Sequence, residues 1–222
     1  MEIQTFNLSV KNHSLSSAPS SPLTLENAPK LPSVSVSPSA EIVEGSSVTL
    51  TCSSDANPAA NYTWYKENGD PDLQPLSKEP QLVFSSIQSS DSGEYYCTAE
   101  NELGRRTSEY ISINVTYAPK LPSVSVSPSA EIVEGSSVNL TCSSDANPAA
   151  NYTWYKENED SPKASGQIFT ITDFRAEHSG NYYCEAQNSR GRHNSTLQLI
   201  VVAAQNALPQ GMLGKLRPPQ LS

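Results

Sequence analysis

The chain lacks an apolar run long enough to cross a membrane. The longest run, Leu199–Ala204, has six residues, whereas a membrane-spanning helix needs about 20. An N-terminal secretion signal is not evident either, because residues 1–10 contain no apolar core of roughly 7 to 15 residues. These 222 residues therefore predict neither an anchor nor an entry signal.

Basic residues are also in short supply. Lysine and arginine number 14 against 23 aspartate and glutamate residues, which gives a net charge of −9. Nucleic acids and anionic membranes attract basic patches, so this balance disfavours both as partners. An acidic surface mainly favours solubility, and the charge alone indicates no function.

Residues for metal or catalytic chemistry are scarce. Of three histidines, His13 and His193 have no cysteine or carboxylate neighbour at ligand spacing. The chain contains no CxxC and no GxSxG, and no Ser/His/Asp set recurs along it. The carboxylate pair Glu159-Asp160 lies in a Pro/Ser segment typical of a solvated turn. We expect no enzyme activity, no cofactor and no bound metal.

One long segment of the chain occurs twice. Residues Ala28–Asn68 recur as Ala118–Asn158 at an offset of 90 residues, with the single change of Thr49 to Asn139. A fixed period of this kind indicates an array of like modules. Since about 100 residues form one small β-sandwich, the repeat predicts two such domains.

The repeat sets the predicted domain layout. The two domains are expected at residues 28–116 and 118–203, and residues 204–222 are expected to form a disordered tail. Residues 1–27 are either a leader or part of a preceding module. Pro22–Lys30 aligns with Ser112–Lys120, and on this alignment Asn7–Glu26 would be the last hairpin of such a module.

Short runs of alternating apolar residues, separated by Pro, Gly, Ser and Asn, predict an all-β fold of two tandem sandwiches. The predicted strands of the first module are Val34–Val36, Val48–Cys52, Tyr62–Lys66, Leu82–Ile87, Glu94–Ala99 and Ser108–Val115. Those of the second are Val124–Val126, Val138–Cys142, Tyr152–Lys156, Phe169–Phe174, Asn181–Ala186 and Thr196–Val201. Two prolines in four residues, Pro119 and Pro122, predict a short and stiff linker between them.

Cysteines and glycosylation sequons together indicate an oxidising, extracellular compartment. Each repeat holds two cysteines, and the repeat favours pairing within each module, Cys52 with Cys97 and Cys142 with Cys184. Such cross-links would stabilise each domain by roughly 4 kcal/mol. The sequons lie at Asn7, Asn12, Asn61, Asn114, Asn139, Asn151 and Asn194. The last five are expected to point outward from their strands or to precede inward residues, so their side chains are available for glycosylation.

A second set of residues recurs at fixed spacing around the cysteines. Trp64 and Trp154 each follow the first cysteine by 12 residues, and Tyr95 and Tyr182 each precede the second by two. The stretch Asp91-Ser-Gly-Glu-Tyr-Tyr-Cys recurs with His178 in place of Asp91. In this pattern the indole packs against the disulfide, and the tyrosine hydroxyl bonds back to the preceding loop as a "tyrosine corner". His178 is either a pH switch or neutral drift at an exposed corner.

This combination resembles the immunoglobulin superfamily in its C2/I-type form over about residues 28–203. The short interval between Trp64 and Leu82 leaves little room for the two extra strands of variable-type domains. More narrowly, EGSSVTLTCSSDANPAANYTWYKEN and the Tyr-Ala-Pro-Lys joint are similar to the membrane-proximal C2 domains of the sialic-acid-binding Ig-like lectins.

The resemblance implies a glycosylated extracellular segment of an immune or adhesion receptor, acting as a stalk or a protein-interaction module at the cell surface. In that family an arginine of a variable-type domain holds sialic acid. Arg105, Arg106, Arg190 and Arg192 match no such motif, so sialic acid binding is not expected here. The expected partner is a cell-surface protein or glycoprotein, at an edge strand or at the hairpin loops Glu102–Arg106 and Ser189–His193.

Three alternatives to the stalk remain open on the sequence. One is a secreted decoy form of such a receptor, which the absence of an anchor favours. A second is a lectin, which requires a variable-type domain upstream. A third is a truncated product without an independent role.

Overall fold

A computed structural model describes residues 25–69 and 73–203. The described chain is almost entirely β, and its only helical pieces are two 3-10 turns, Ser89–Asp91 and Ala176–His178. The predicted tail at residues 204–222 lies outside the described residues, as does all of the proposed partial module except residues 25–27.

The first domain is a sandwich of two antiparallel sheets. One sheet has the order β1-β3-β5, and the other joins β4 to β6, which then pairs with both β7 and β8. β2 and β9 add a short parallel pair. The strands are β1 Ser33–Ser37, β2 Ile42–Val43, β3 Val48–Ser53, β4 Asn61–Lys66, β5 Gln81–Phe84, β6 Gly93–Asn101, β7 Gly104–Thr107, β8 Ile111–Ile113 and β9 Val115–Thr116.

The second domain repeats this plan with a more continuous second sheet. Its sheets have the orders β10-β12-β15 and β11-β17-β16-β13-β14. The strands are β10 Ser123–Ser127, β11 Glu131–Val133, β12 Val138–Ser143, β13 Asn151–Lys156, β14 Ala164–Ser165, β15 Ile168–Ile171, β16 Gly180–Asn188 and β17 Gly191–Val202.

Each core lies between the two sheets and follows from the period-2 alternation of the strands. On β3 the side chains of Val48, Leu50 and Cys52 are buried, and the residues between them face out. Trp64 and Trp154 are completely buried against their domain's core cluster. A disulfide joins Cys52 to Cys97 and another joins Cys142 to Cys184, and each connects the two sheets.

The structure differs from the predicted strands mainly at their ends. Ile87 and Phe174 are buried as expected, but they lie in loops where Gly45 and Gly135 donate backbone hydrogen bonds to their carbonyls. The predicted run Ser108–Val115 is interrupted, because β7, β8 and β9 are separate strands. The short strands β2, β11 and β14 were not predicted, because two or three residues leave no alternation to detect.

Candidate functional site: the interdomain joint

The corner tyrosines connect the core of each domain to its surface loop. The Tyr95 hydroxyl donates to the Asp91 carbonyl at 2.6 Å, and the Tyr182 hydroxyl donates to the His178 carbonyl at 2.9 Å. Burial raises the pKa of both phenols to about 12. Both bonds use a backbone acceptor, so the corner forms with either residue at the variable position.

The side chains of Asp91 and His178 do equivalent work at this corner. The Asp91 carboxylate accepts the backbone N–H of Gln88 at 2.8 Å, and His178 Nδ1 accepts that of Arg175 at 2.9 Å. The His178 ring also lies 5.5 Å from the ring of Phe174. The histidine therefore replaces the carboxylate as the acceptor that closes the 3-10 turn.

The five sequons within the described residues are all exposed at their asparagine: Asn61, Asn114, Asn139, Asn151 and Asn194. Two of these side chains also accept hydrogen bonds. Asn139 Oδ1 accepts from the Thr170 hydroxyl at 2.7 Å, and Asn114 Oδ1 accepts from Asn147 at 2.8 Å. Both bonds use the oxygen, so the amide nitrogen that carries a glycan is not the atom engaged. Asn7 and Asn12 lie outside the described residues.

The two domains contact each other through a set of residues that we call the interdomain joint: Glu41, Tyr117, Asn147, Asn188 and Arg190. Tyr117 follows the last strand of the first domain and exchanges backbone hydrogen bonds with Asn147. Asn188 Nδ2 donates at 2.8 Å to the Tyr117 carbonyl and, at the same distance, to that of Pro148. The linker backbone is thereby fixed to two loops of the second domain.

Asn147 reaches further, into the first domain itself. Its Nδ2 donates at 2.8 Å to the carbonyl of Val115, which lies on β9, and at the same distance to Asn114 Oδ1. Val115 is completely buried in the core of the first domain. One amide of the second domain is therefore bound directly to the end of the first domain.

An ion pair adds a contact between side chains of the two domains. Arg190, in the hairpin between β16 and β17, pairs with Glu41, which immediately precedes β2. The Arg190 side chain is only 24% exposed. Hydrogen bonding to Arg190 lowers the pKa of the Glu41 carboxyl from its usual value. The predicted binding loop Ser189–His193 thus contributes Arg190, the first of its two arginines, to a contact inside the molecule.

A third contact fixes the start of the second domain. The carboxylate of Asp145 accepts the Tyr117 hydroxyl at 2.7 Å and the Lys120 ammonium at 2.6 Å. These hydrogen bonds lower the pKa of Asp145. The Lys120 ammonium also lies 5.3 Å from the centre of the Tyr117 ring. Three side chains of this cluster hold the linker on both sides of Pro119.

The N-terminal end of the first domain has hydrogen bonds equivalent to those of Asn147 and Asn188 at the joint. Asn27 exchanges backbone hydrogen bonds with Asn57, whose Nδ2 donates to the Leu25 carbonyl at 3.0 Å. Asn101 Nδ2 donates to the carbonyls of Asn27 and Pro58, both at 2.9 Å. The arrangement around residues 25–27 therefore matches that around residues 115–117. Leu103 stands where the second domain has Arg190, and it is 46% exposed.

Sequence reasoning anticipated the linker but missed the joint, since loop residues that meet across domains leave no periodic pattern. The other hairpin arginines, Arg105, Arg106 and Arg192, are exposed. No group of three or more metal-ligating side chains occurs within residues 25–69 and 73–203. In the same part of the chain no helix is long and apolar enough to span a membrane.

Comparisons with known proteins agree with this architecture. A family model described as the immunoglobulin domain matches residues 31–115 and 121–202. The B-cell receptor CD22 of Mus musculus, a sialic-acid-binding Ig-like lectin, is 34% identical over 195 residues, covering 86% of this chain and 22% of its own length. Human vascular cell adhesion protein 1 is 32% identical over 182 residues, covering 81% of this chain and 24% of its own length. The chain thus spans about a quarter of the length of these relatives.

Solved structures show the same pair of domains. The ectodomain of mouse nectin-like molecule 4 superposes with a TM-score of 0.65 at 26% identity, covering 83% of this chain and 68% of that one. The relatives are receptors and adhesion proteins of the cell surface. The two sandwiches, their disulfides and the match over both repeats lead to one conclusion: the chain belongs to the immunoglobulin-domain family.

Proposed function

We propose that this chain is the extracellular stalk of an immune or adhesion receptor, in which the interdomain joint limits the angle between two C2-type domains, here taken as residues 28–116 and 118–203. The observation that carries the proposal is the joint itself. A flexible tether would need no contact between its domains, whereas this linker is held by Asn147, Asn188 and Asp145. The relatives CD22 and vascular cell adhesion protein 1 support the receptor assignment.

The composition of the linker supports the same role. Pro119 and Pro122 restrict the backbone, and Pro119 is buried. The equivalent contacts of Asn57 and Asn101 at the head of the first domain are consistent with a serial arrangement of like domains. A series of such joints would hold a binding domain away from the membrane. Because the joints already restrict the interdomain angles, little conformational entropy would be lost when that domain binds.

Small-angle scattering tests the stalk proposal. The full chain would be secreted from animal cells behind an added signal sequence, and the variant Asn147→Ala/Arg190→Ala would be compared with the unmodified protein. We expect a narrower distribution of maximum dimension for the unmodified protein. Arg192→Ala is the matched control, because Arg192 lies in the same hairpin but faces Glu185 of its own domain. Equally broad distributions for all three proteins would refute a joint that limits motion.

The extracellular assignment has its own test in the same material. Sequons at exposed asparagines and disulfides in both domains support an oxidising compartment. We expect peptide N-glycosidase to lower the apparent mass at several sites and reductant to slow migration on denaturing gels. We also expect the glycosylated protein to show no sialic acid binding, since these two domains hold no arginine at a lectin site. Saturable binding of a sialylated trisaccharide would overturn that expectation.

A further inference from the structure

The first domain carries three tyrosines in contact on its outer surface, which we call the tyrosine face: Tyr65, Tyr96 and Tyr110. The rings of Tyr65 on β4 and Tyr96 on β6 stack with their centroids 5.3 Å apart. Tyr110, just before β8, meets Tyr96 edge-on at the same separation. Tyr110 is 56% exposed. Tyrosine is enriched in protein interfaces because it offers a rigid apolar body and a polar tip.

A bulge places Tyr110 on this face. Pairing of β6 with β7 reaches Thr98 opposite Thr107, and pairing with β8 resumes at Tyr95 opposite Ile111. Between these pairs, three residues (108–110) lie opposite two residues of β6 (96 and 97). A regular antiparallel ladder pairs equal numbers, so the extra residue forms a bulge. Ser108 is buried within the bulge, and its hydroxyl accepts the Cys97 N–H at 3.0 Å. The extra residue is what brings the Tyr110 ring against Tyr96.

The tyrosine face is also acidic. Glu67 accepts the Tyr110 hydroxyl at 3.4 Å, and Glu94 projects on the same side of β6 as Tyr96. Within the described ranges no ion pair joins Glu67 or Glu94 to a lysine or arginine. Burial and then the charge of Glu67 raise the pKa of both Tyr96 and Tyr110. The charge of Arg105, whose Nη2 lies 3.5 Å from Thr98 Oγ1, opposes this rise in the pKa of Tyr96.

The second domain lacks this combination. Tyr155 and Tyr183 stack at 4.9 Å, but Thr196 lies opposite Tyr183 on the uninterrupted β17. Asn181 replaces the second carboxylate, and its amide donates to Glu157 at 2.7 Å. The equivalent surface there has two aromatic rings, and both of its carboxylates are paired, Glu157 with the amide of Asn181 and Glu185 with Arg192. Glu67 of the first domain also accepts a backbone N–H, that of Gly69 at 2.8 Å, but it has no ion pair within the described residues.

The positions of the glycosylation sequons are a further difference between the two surfaces. Asn194 lies opposite Glu185 on the outward side of the second domain, where the first domain has Thr107 opposite Thr98. The first domain has two sequons on this side, at Asn61 and Asn114, and each lies four residues along the chain from a tyrosine of the face, or about 13 Å. The acceptor Asn194 is thus two residues from Thr196, the partner of Tyr183, whereas both acceptors of the first domain are farther along the chain from the three tyrosines.

We propose that the tyrosine face is a docking surface for a protein partner that presents arginine or lysine side chains. A cation over the ring of Tyr96 or Tyr110 gains cation–π attraction, and its N–H groups reach the carboxylates of Glu67 and Glu94. A second copy of this chain is a poor occupant because each copy carries a net charge of −9. This inference gives the first domain a binding role in addition to the spacing role.

A peptide titration tests the charge and the location of this surface. The probe is acetyl-Gly-Arg-Gly-Arg-Gly-amide, and a peptide with glutamate in place of arginine is its control, both added to the glycosylated full chain in a calorimeter. We expect saturable binding of the arginine peptide alone, weakening as salt rises from about 50 to 200 mM. Tyr110→Thr and Glu67→Gln should each weaken it about fivefold or more. Glu157→Gln, at the equivalent position of the second domain, should leave it unchanged.

A glycan wedge tests the same surface without altering a tyrosine or a carboxylate of the face. Thr107→Asn/Glu109→Thr creates an Asn-Ser-Thr sequon like that at Asn194. We expect the added glycan to block the arginine peptide, and peptide N-glycosidase to restore binding. The proposal fails if the arginine peptide does not saturate, or if Glu157→Gln weakens it as much as Glu67→Gln. It also fails if sedimentation equilibrium shows a dimer that Tyr110→Thr abolishes, because the occupant is then a second copy.

Discussion

At the scale of single residues, the two domains use different side chains, Asp91 and His178, to accept the same backbone hydrogen bond. The turn before β6 needs an acceptor for a backbone N–H, and Asp91 supplies a carboxylate where His178 supplies a ring nitrogen. An imidazole accepts only through an unprotonated nitrogen, whereas a carboxylate accepts at any pH where it is ionised. The 3-10 turn tolerates the exchange because the corner tyrosine bonds to the backbone rather than to either side chain.

Replacing His178 by alanine tests whether this acceptor matters. We expect His178→Ala to destabilise the second domain by about 1 kcal/mol, the usual cost of losing a capping acceptor. Asp91→Ala is the matched change and should affect the first domain similarly. Urea unfolding combined with hydrogen exchange at the amides of β6 and β16 distinguishes the two domains. An unchanged second domain would mean that the histidine is merely an exposed substituent at this corner.

The corner tyrosines predict how stability responds to high pH. The pKa of Tyr95 and Tyr182 is raised to about 12 in the folded protein, above the ordinary value near 10. Their contribution is therefore complete below pH ~10 and is lost as the pH rises through about 12. Tyr95→Phe/Tyr182→Phe should lower the melting temperature at pH 8 and flatten its fall between pH ~10 and ~12. Parallel curves for the two proteins would contradict this account.

At the scale of strands, the sequence predicts those strands in which apolar and polar residues alternate. The central strands β3, β4, β6, β12, β13 and β16 were placed within about two residues, because buried and exposed residues alternate along them. The bulge at Ser108 and the two-residue strands β2 and β14 were not predicted, because they depend on pairing with distant segments. The joint was missed for the same reason, although its linker was recognised from Pro119 and Pro122.

The inter-sheet disulfides add stability to domains that are too small to bury a large core. Replacing Cys142 and Cys184 by alanine removes a covalent link between residues 42 apart, and it should cost roughly 4 kcal/mol in the chain-entropy account. We expect the second domain to unfold first in urea, while the first domain keeps its own transition. Cys52→Ala/Cys97→Ala is the mirror-image control. A variant whose two domains lose stability equally would show that they unfold as one unit.

At the scale of the whole molecule, the ion pair of Glu41 with Arg190 adds a pH-dependent contact to the hydrogen bonds of the interdomain joint. The pKa of Glu41 is lowered by Arg190, so the pair's contribution is present above the ordinary carboxyl range and is lost as the pH falls through the lowered pKa. Glu41→Gln should imitate the acidic state at neutral pH and widen the distribution of maximum dimensions in small-angle scattering. Glu131→Gln, at the offset-matched position of the second domain, is the control. If the distribution of maximum dimensions is the same at acidic and neutral pH, the restriction of the interdomain angle comes from the hydrogen bonds of Asn147 and Asn188 instead.

The parallel pairing of β2 with β9, and of β11 with β17, has a consequence for mechanical load. In each pair one strand lies near the entry of its domain and the other at the exit, and both run in the same direction. Tension applied through the chain ends pulls these strands past each other lengthwise. Their hydrogen bonds are then loaded together instead of opening one after another. Under tension each domain should therefore yield abruptly, one domain after the other, rather than stretching gradually.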